Sequence, residues 1–95
     1  MLAAAQGDIE GVALNRSPPP YANNPAAERA QYTSDTDKEM VVLKFIADDG
    51  TDLGVIGFHA VHAVSMKLAN RLVSSDNKGY AAALFERSKG TDYQV

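Results

Sequence analysis

Two histidines, His59 and His62, stand three residues apart in the run GFHAVHAVSMKLANRL at 57–72, and the chain has no others. Imidazole is a common metal ligand and the side chain best suited to gaining or losing a proton near neutral pH. On a helix the two rings would share a face, as a two-histidine metal site requires; on a strand they would point to opposite faces. Two imidazoles do not complete a zinc site, which takes three protein ligands when catalytic and four when structural, so a carboxylate from elsewhere would have to join them. On residue chemistry alone, each is read first as an ordinary structural histidine. Arg16, between a strand candidate and a proline run, could hold a cation against an anion or a developing oxyanion, with a plain surface arginine as the alternative.

Other chemistry is thinly represented. Asp35, Asp37 and Glu39 lie in a polar connector, TSDTDKE, and lack the glycine and twelve-residue spacing of a calcium loop. Gly79 belongs to no nucleotide-binding glycine pattern. Ser65, Ser74 and Ser75 have no nucleophile elbow around them. Asn15-Arg16-Ser17 matches a glycosylation sequon, with Pro18 just after it arguing against use.

The elements that must position these groups can be sketched from pattern. Ile9 to Asn15 is a short strand candidate weakened by Gly11. Pro18, Pro19 and Pro20 remove three backbone donors, which predicts an extended, polyproline-like loop. Asn24 and Pro25 suit the start of a two-turn helix over Ala26 to Tyr32. Met40 to Ala47, MVVLKFIA, is a β-branched apolar run that predicts a strand buried on both faces. The turn DDGTD follows, then Leu53 to His62, so a β-hairpin is predicted over about 40–62. Beyond it, Val61, Val64, Leu68 and Leu72 recur at helical steps in competition with the strand pattern in front of them. A C-terminal helix is predicted over about 77–89, with caps available among Ser74 to Asn77 and a stop at Gly90.

Composition narrows the function classes. Ninety-five residues make at most one small domain, which would bury roughly 60 to 65% of the surface that the unfolded chain exposes. A net charge of −3 offers no basic field for a nucleic acid partner. The absence of cysteine removes disulfides and thiolate metal sites. The start, MLAAAQGDIEG, lacks the basic region and apolar length of a signal peptide, and no run approaches the roughly twenty apolar residues of a membrane span.

Four blocks, NRSPPPYANNPAAERAQY at 15–32, DTDKEMVVLKF at 35–45, AVHAVSM at 60–66 and SSDNKGYAAALFE at 74–86, resemble consecutive segments of the neutral ceramidases. The resemblance runs over about residues 8–89. It implies an α/β fold in which residues 1–95 are part of a larger catalytic domain. The implied activity is that of a zinc-dependent amidase that cleaves the N-acyl bond of ceramide into sphingosine and a fatty acid. The histidine of the AVH block is a zinc ligand in that family, which places this role on His62; the arginine of the NRS block places a substrate or oxyanion contact on Arg16. Zinc in such a site lowers the pKa of bound water to about 7 and polarises the amide carbonyl.

His59 inherits nothing, because the family usually carries an aromatic there. Ala63 and Lys67-Leu68 replace a Pro or Gly and an Asn-rich turn, which raises local helix propensity. The family's upstream zinc histidine, its Gly-Asp-x-Ser-Pro-Asn block and its later glutamate and tyrosine ligands do not occur in this sequence. The expectation is therefore a catalytic-domain fragment, inactive alone and not retaining zinc alone. Its full-length parent would be secreted or membrane-associated and would meet ceramide at a membrane surface. Uncovered apolar strands predict self-association. The alternatives are a non-catalytic binding or interaction module of the same fold, and a small metal-binding protein in which a helix spans His59 and His62.

Overall fold

The computed structural model describes residues 1–90 and Val95. Its centre is a three-stranded antiparallel sheet in the order β1-β2-β3, with β1 at Leu2–Asp8, β2 at Glu39–Ile46 and β3 at Asp52–His59. Two short helices, α1 (Pro18–Ala22) and α2 (Ala26–Arg29), lie between β1 and β2, and a 14-residue helix, α3 (Asp76–Lys89), follows β3. The mixed α/β content, the hairpin and the C-terminal helix are all as expected from sequence.

β2 and β3 pair from Met40↔His59 to Ile46↔Asp52, with an irregularity between Phe45 and Ile46. The reversal uses Gly50 at φ +88, where a side chain would be strained, and Asp49 Oδ1 accepts the Thr51 N–H at 2.9 Å. The second strand stops at His59, short of the predicted His62, because Val61 N–H turns back onto His59 O at 2.9 Å. β1 supplies the other neighbour of β2, pairing from Leu2↔Phe45 to Asp8↔Glu39. The strand therefore precedes the predicted Ile9–Asn15 segment. That segment leaves the sheet and turns at Gly11, φ +74.

The triple proline does not run extended. It opens α1 instead, since a proline φ near −65° already suits a helix and the missing donors fall in the first turn, where no intrahelical acceptor awaits them. Tyr21 is the first residue after the prolines to offer an N–H, and it donates to Ser17 O at 3.3 Å. α2 is one turn rather than two, with Pro25 (φ −53, ψ 137) at the cap position in place of Asn24. The helical periodicity from Val61 to Leu72 produces no helix; residues 60–75 are irregular, and Leu68, Leu72 and Val73 are exposed.

β2 is the central strand, yet among the described residues neither face of the sheet is covered. Register places Leu2, Val41, Leu43, Phe45, Ile56 and Phe58 on one face, and among the described residues no helix packs against the sheet. Phe45 is 40% exposed and Phe58 54%. The accessible surface is 7692 Å², against about 5,300 Å² for a globular monomer of 10.1 kDa. Burial on folding is thus about 47%, below the 60 to 65% that length alone predicts. The radius of gyration, 17.2 Å, exceeds the roughly 12 Å of a compact chain of this length.

Candidate functional site

Arg16 is held by a local turn. Asn15 Oδ1 accepts the Ser17 N–H at 2.8 Å, closing a ring around Arg16, and α1 begins two residues later. An Asx turn followed by a proline-stiffened helix leaves the backbone of Arg16 little freedom. Its side chain is exposed and makes no ion pair among the described residues.

His62 lies beyond the end of β3, in the irregular loop. Val64 N–H donates to His62 O at 3.0 Å, and Asn77 Nδ2, from the first turn of α3, donates to the same carbonyl at 3.2 Å. Its imidazole is exposed. Residues from three segments within 12–17, 35–37 and 60–65, joined by Asn77 of α3, line a cleft of about 660 Å³. Arg16 and His62 both line it, so the fold brings together the two residues that sequence reasoning singled out.

His59 is a different kind of residue. It sits on β3 opposite Met40, and its Nδ1–H donates to Glu39 O at 2.9 Å, which ties the end of the hairpin. A carbonyl only accepts, so the proton is on Nδ1 and a neutral ring has its lone pair on Nε2, an atom buried without a partner. Lys78 Nζ donates to the backbone O of His59 at 2.7 Å. No helix spans the two histidines, so the geometry that a two-histidine metal site needs is absent.

The acidic connector folds into small turns. Asp37 Oδ1 accepts the Glu39 N–H at 2.9 Å and Ser34 Oγ accepts the Thr36 N–H at 3.3 Å. Asp35 and Asp37 border the cleft without pairing with Arg16. Among the described residues no three His, Asp or Glu side chains gather to hold a metal ion. One imidazole does not by itself fit a zinc site.

Sequence reasoning saw Asp76 and Asn77 only as cap candidates. The Asp76 carboxylate accepts the Ser65 N–H at 3.0 Å and the Met66 N–H at 2.8 Å, and these donors, Met66 foremost, hold its pKa down to about 2. A local pattern gives no sign of this, because the acceptor and its donors are ten and eleven residues apart.

Comparison with known proteins places these features in a wider set. A family model described as neutral/alkaline non-lysosomal ceramidase, N-terminal, matches residues 1–95. Neutral ceramidase of Drosophila melanogaster is 54% identical over 79 residues, 83% of this chain and 11% of the relative. That of Oryza sativa subsp. japonica is 44% identical over 81 residues, 85% of this chain and 10% of the relative. The crystal structure of neutral ceramidase from Pseudomonas aeruginosa superposes with a TM-score of 0.84 at 34% identity, over 98% of this chain and 15% of that one. The chain thus spans about a tenth of the length of these curated relatives.

Proposed function

Because the chain belongs to the neutral/alkaline non-lysosomal ceramidase family, we propose that it forms part of the catalytic domain of a zinc-dependent amidase, which hydrolyses the N-acyl bond of ceramide to sphingosine and a fatty acid. The observation that carries this reading is the meeting of Arg16 and His62 in one cleft, from segments far apart in sequence. In it, His62 supplies one zinc ligand to a set completed by residues outside this chain. Zinc bound there would activate water and polarise the amide carbonyl. The Arg16 guanidinium, free of ion pairs among the described residues, faces the acyl oxygen and stabilises negative charge as it develops there.

The 95-residue chain alone neither retains zinc nor hydrolyses ceramide, since one ligand of a three- or four-ligand site holds the metal poorly. Ceramide is a lipid, so the complete enzyme meets it at a membrane surface as a secreted or membrane-associated protein. A second reading, a non-catalytic interaction module of the same fold, is favoured by that single candidate ligand.

A segment exchange tests the proposal. Residues 8–89 are placed in the Drosophila melanogaster relative in place of the matching segment, and fatty acid release and zinc content are measured. Zinc-dependent hydrolysis is expected, with His62→Ala losing metal and activity together. Arg16→Ala should retain metal and lose about 100-fold in kcat, the scale of removing one oxyanion contact. Full activity in both variants would refute the assignment, and an inactive, metal-free exchange would favour the interaction module.

A further inference from the structure

The segment carrying His62 has no helix or strand to hold it: residues 60–75 are irregular throughout. Its fixed points come from the first two residues of α3. Asp76 spans two successive amides, Oδ1 accepting from Ser65 and Oδ2 from Met66. Asn77 Nδ2 reaches His62 O at 3.2 Å and Ser65 Oγ at 3.4 Å. The pair therefore grips the loop at both ends, His62 and Met66.

The backbone of Asp76 shows that this grip is held against local preference. Asp76 has φ +55 and is the one non-glycine residue with positive φ among those described. Such a conformation persists only where its surroundings over-determine it, and it is concentrated at functional sites. Ser75, at the cap position of α3, makes no side-chain cap hydrogen bond; Asp76 Oδ1 accepts the Asn77 N–H instead, so the residue that grips the loop also serves its own helix start. The left-handed turn brings the Asp76 carboxylate to the loop amides, while Ser74 Oγ accepts the Asp76 N–H at 3.0 Å. The same turn lays Ser75 against α3 so closely that a Cβ on Gly79 would overlap Ser75 Cβ and Oγ.

We propose that Asp76 and Asn77 are positioning residues for His62, clasping the 62–66 loop so that the imidazole is presented to the Arg16 cleft in one orientation. This rests on His62 being a working group of that cleft. Asp76 acts through the Ser65 and Met66 amides, and Asn77, which also lines the cleft, acts through the His62 carbonyl. The loop needs such an anchor because Ala63 and Lys67-Leu68 provide no turn chemistry of their own.

Nuclear magnetic resonance of the metal-free segment exchange, in which residues 8–89 sit in the Drosophila melanogaster relative and alone carry nitrogen-15 and carbon-13, tests the clasp through amide exchange and the χ1 couplings of His62. The unaltered chain should show one His62 rotamer and slowed exchange at Ser65 and Met66. Asp76→Asn keeps the side-chain shape but sets an amide NH₂ against one loop donor, and should speed exchange at Ser65 and Met66 about tenfold. His62 should then average over rotamers while His59 and the β2 amides stay as they were. Asn77→Ser should free His62 and leave the Ser65 and Met66 amides protected. Asp76→Gly removes the strain together with the carboxylate and should loosen His62 as Asp76→Asn does.

Unprotected Ser65 and Met66 amides in the unaltered chain, unchanged His62 couplings in all three variants, or an equal disturbance of His59 and β2 would each overturn the proposal. The readout uses neither zinc nor turnover. An intact exchange pattern beside an inactive segment exchange therefore refutes the ceramidase reading alone, and the converse refutes the clasp alone.

Discussion

Releasing the 95-residue chain into dilute buffer removes whatever covers its sheet, and the structure sets the scale of the consequence. Its surface exceeds that of a compact monomer of the same mass by about 2,400 Å². If about 57% of that excess is apolar, as protein surfaces usually are, some 1,400 Å² of apolar contact is missing. At about 25 cal/mol per Å² this is on the order of 30 kcal/mol of burial, an upper estimate because real unfolded chains are partly compact. Domains are ordinarily stable by only about 5–15 kcal/mol, so even half of that deficit removes the margin. The isolated chain should therefore show no cooperative monomeric melt. Through its open β1 and β3 edges and its uncovered Phe45 and Phe58, it should associate as concentration rises. Sedimentation velocity across a concentration series and differential scanning calorimetry check both halves. A monomer at all concentrations, melting in one transition with an enthalpy near 65 kcal/mol, as expected for 95 globular residues, would refute the reasoning.

Acid should release the Asp76 clasp late. A carboxylate whose pKa is lowered by folding contributes stability that is present above its unfolded value near 4 and lost as pH falls through its folded value, about 2 here. The Ser65 and Met66 amide shifts should therefore titrate with a midpoint near 2, and a midpoint near 4 would show the carboxylate to be free. Gly79→Ala, which in most helix interiors stabilises by up to about 1 kcal/mol, should here reduce α3 helicity by circular dichroism, because the new methyl overlaps Ser75 Cβ and no rotamer change moves that atom. Gly50→Ala should weaken the hairpin by about 1 kcal/mol, since φ is +88 there, whereas Gly57→Ala meets only the flexible end of Met40 at 2.8 Å and should cost less by hydrogen exchange of β2 amides.

The hairpin and α3 were legible because each is announced locally: a β-branched run, a DG turn and a second run for one, cap residues and a terminal glycine for the other. β1 was not, because LAAAQGD has little strand preference and becomes a strand by pairing with β2, a partner more than thirty residues away. The prolines misled for a related reason: their fixed φ serves a helix start as well as an extended run, and only the Tyr21 to Ser17 bond decides. Arg16 stood out by its place before the prolines, but only family resemblance gave it and His62 their roles; spacing alone raised a His59–His62 pair without favouring it, and the end of β3 divides that pair. Asp76 and Asn77 escaped altogether, since a residue that caps its own helix and one that grips a distant loop look alike in sequence.

The way β1 reaches β2 also bears on the order of assembly. Thirty residues, 9–38, intervene, and their ends are drawn together by the Ile9 N–H to Lys38 O bond at 2.9 Å and the Glu10–Lys38 ion pair at 2.9 Å. β2 and β3 are separated by only five, 47–51. Closing the longer loop costs about 1.6 kcal/mol more in chain entropy, so the hairpin forms first and β1 docks onto it afterwards. His62, next to the hairpin, is then near its place before the excursion bearing Arg16 is cinched shut. The excursion is in effect a purse on a drawstring: residues can be added or removed within it while its neck, and with it the register of the sheet, stays closed.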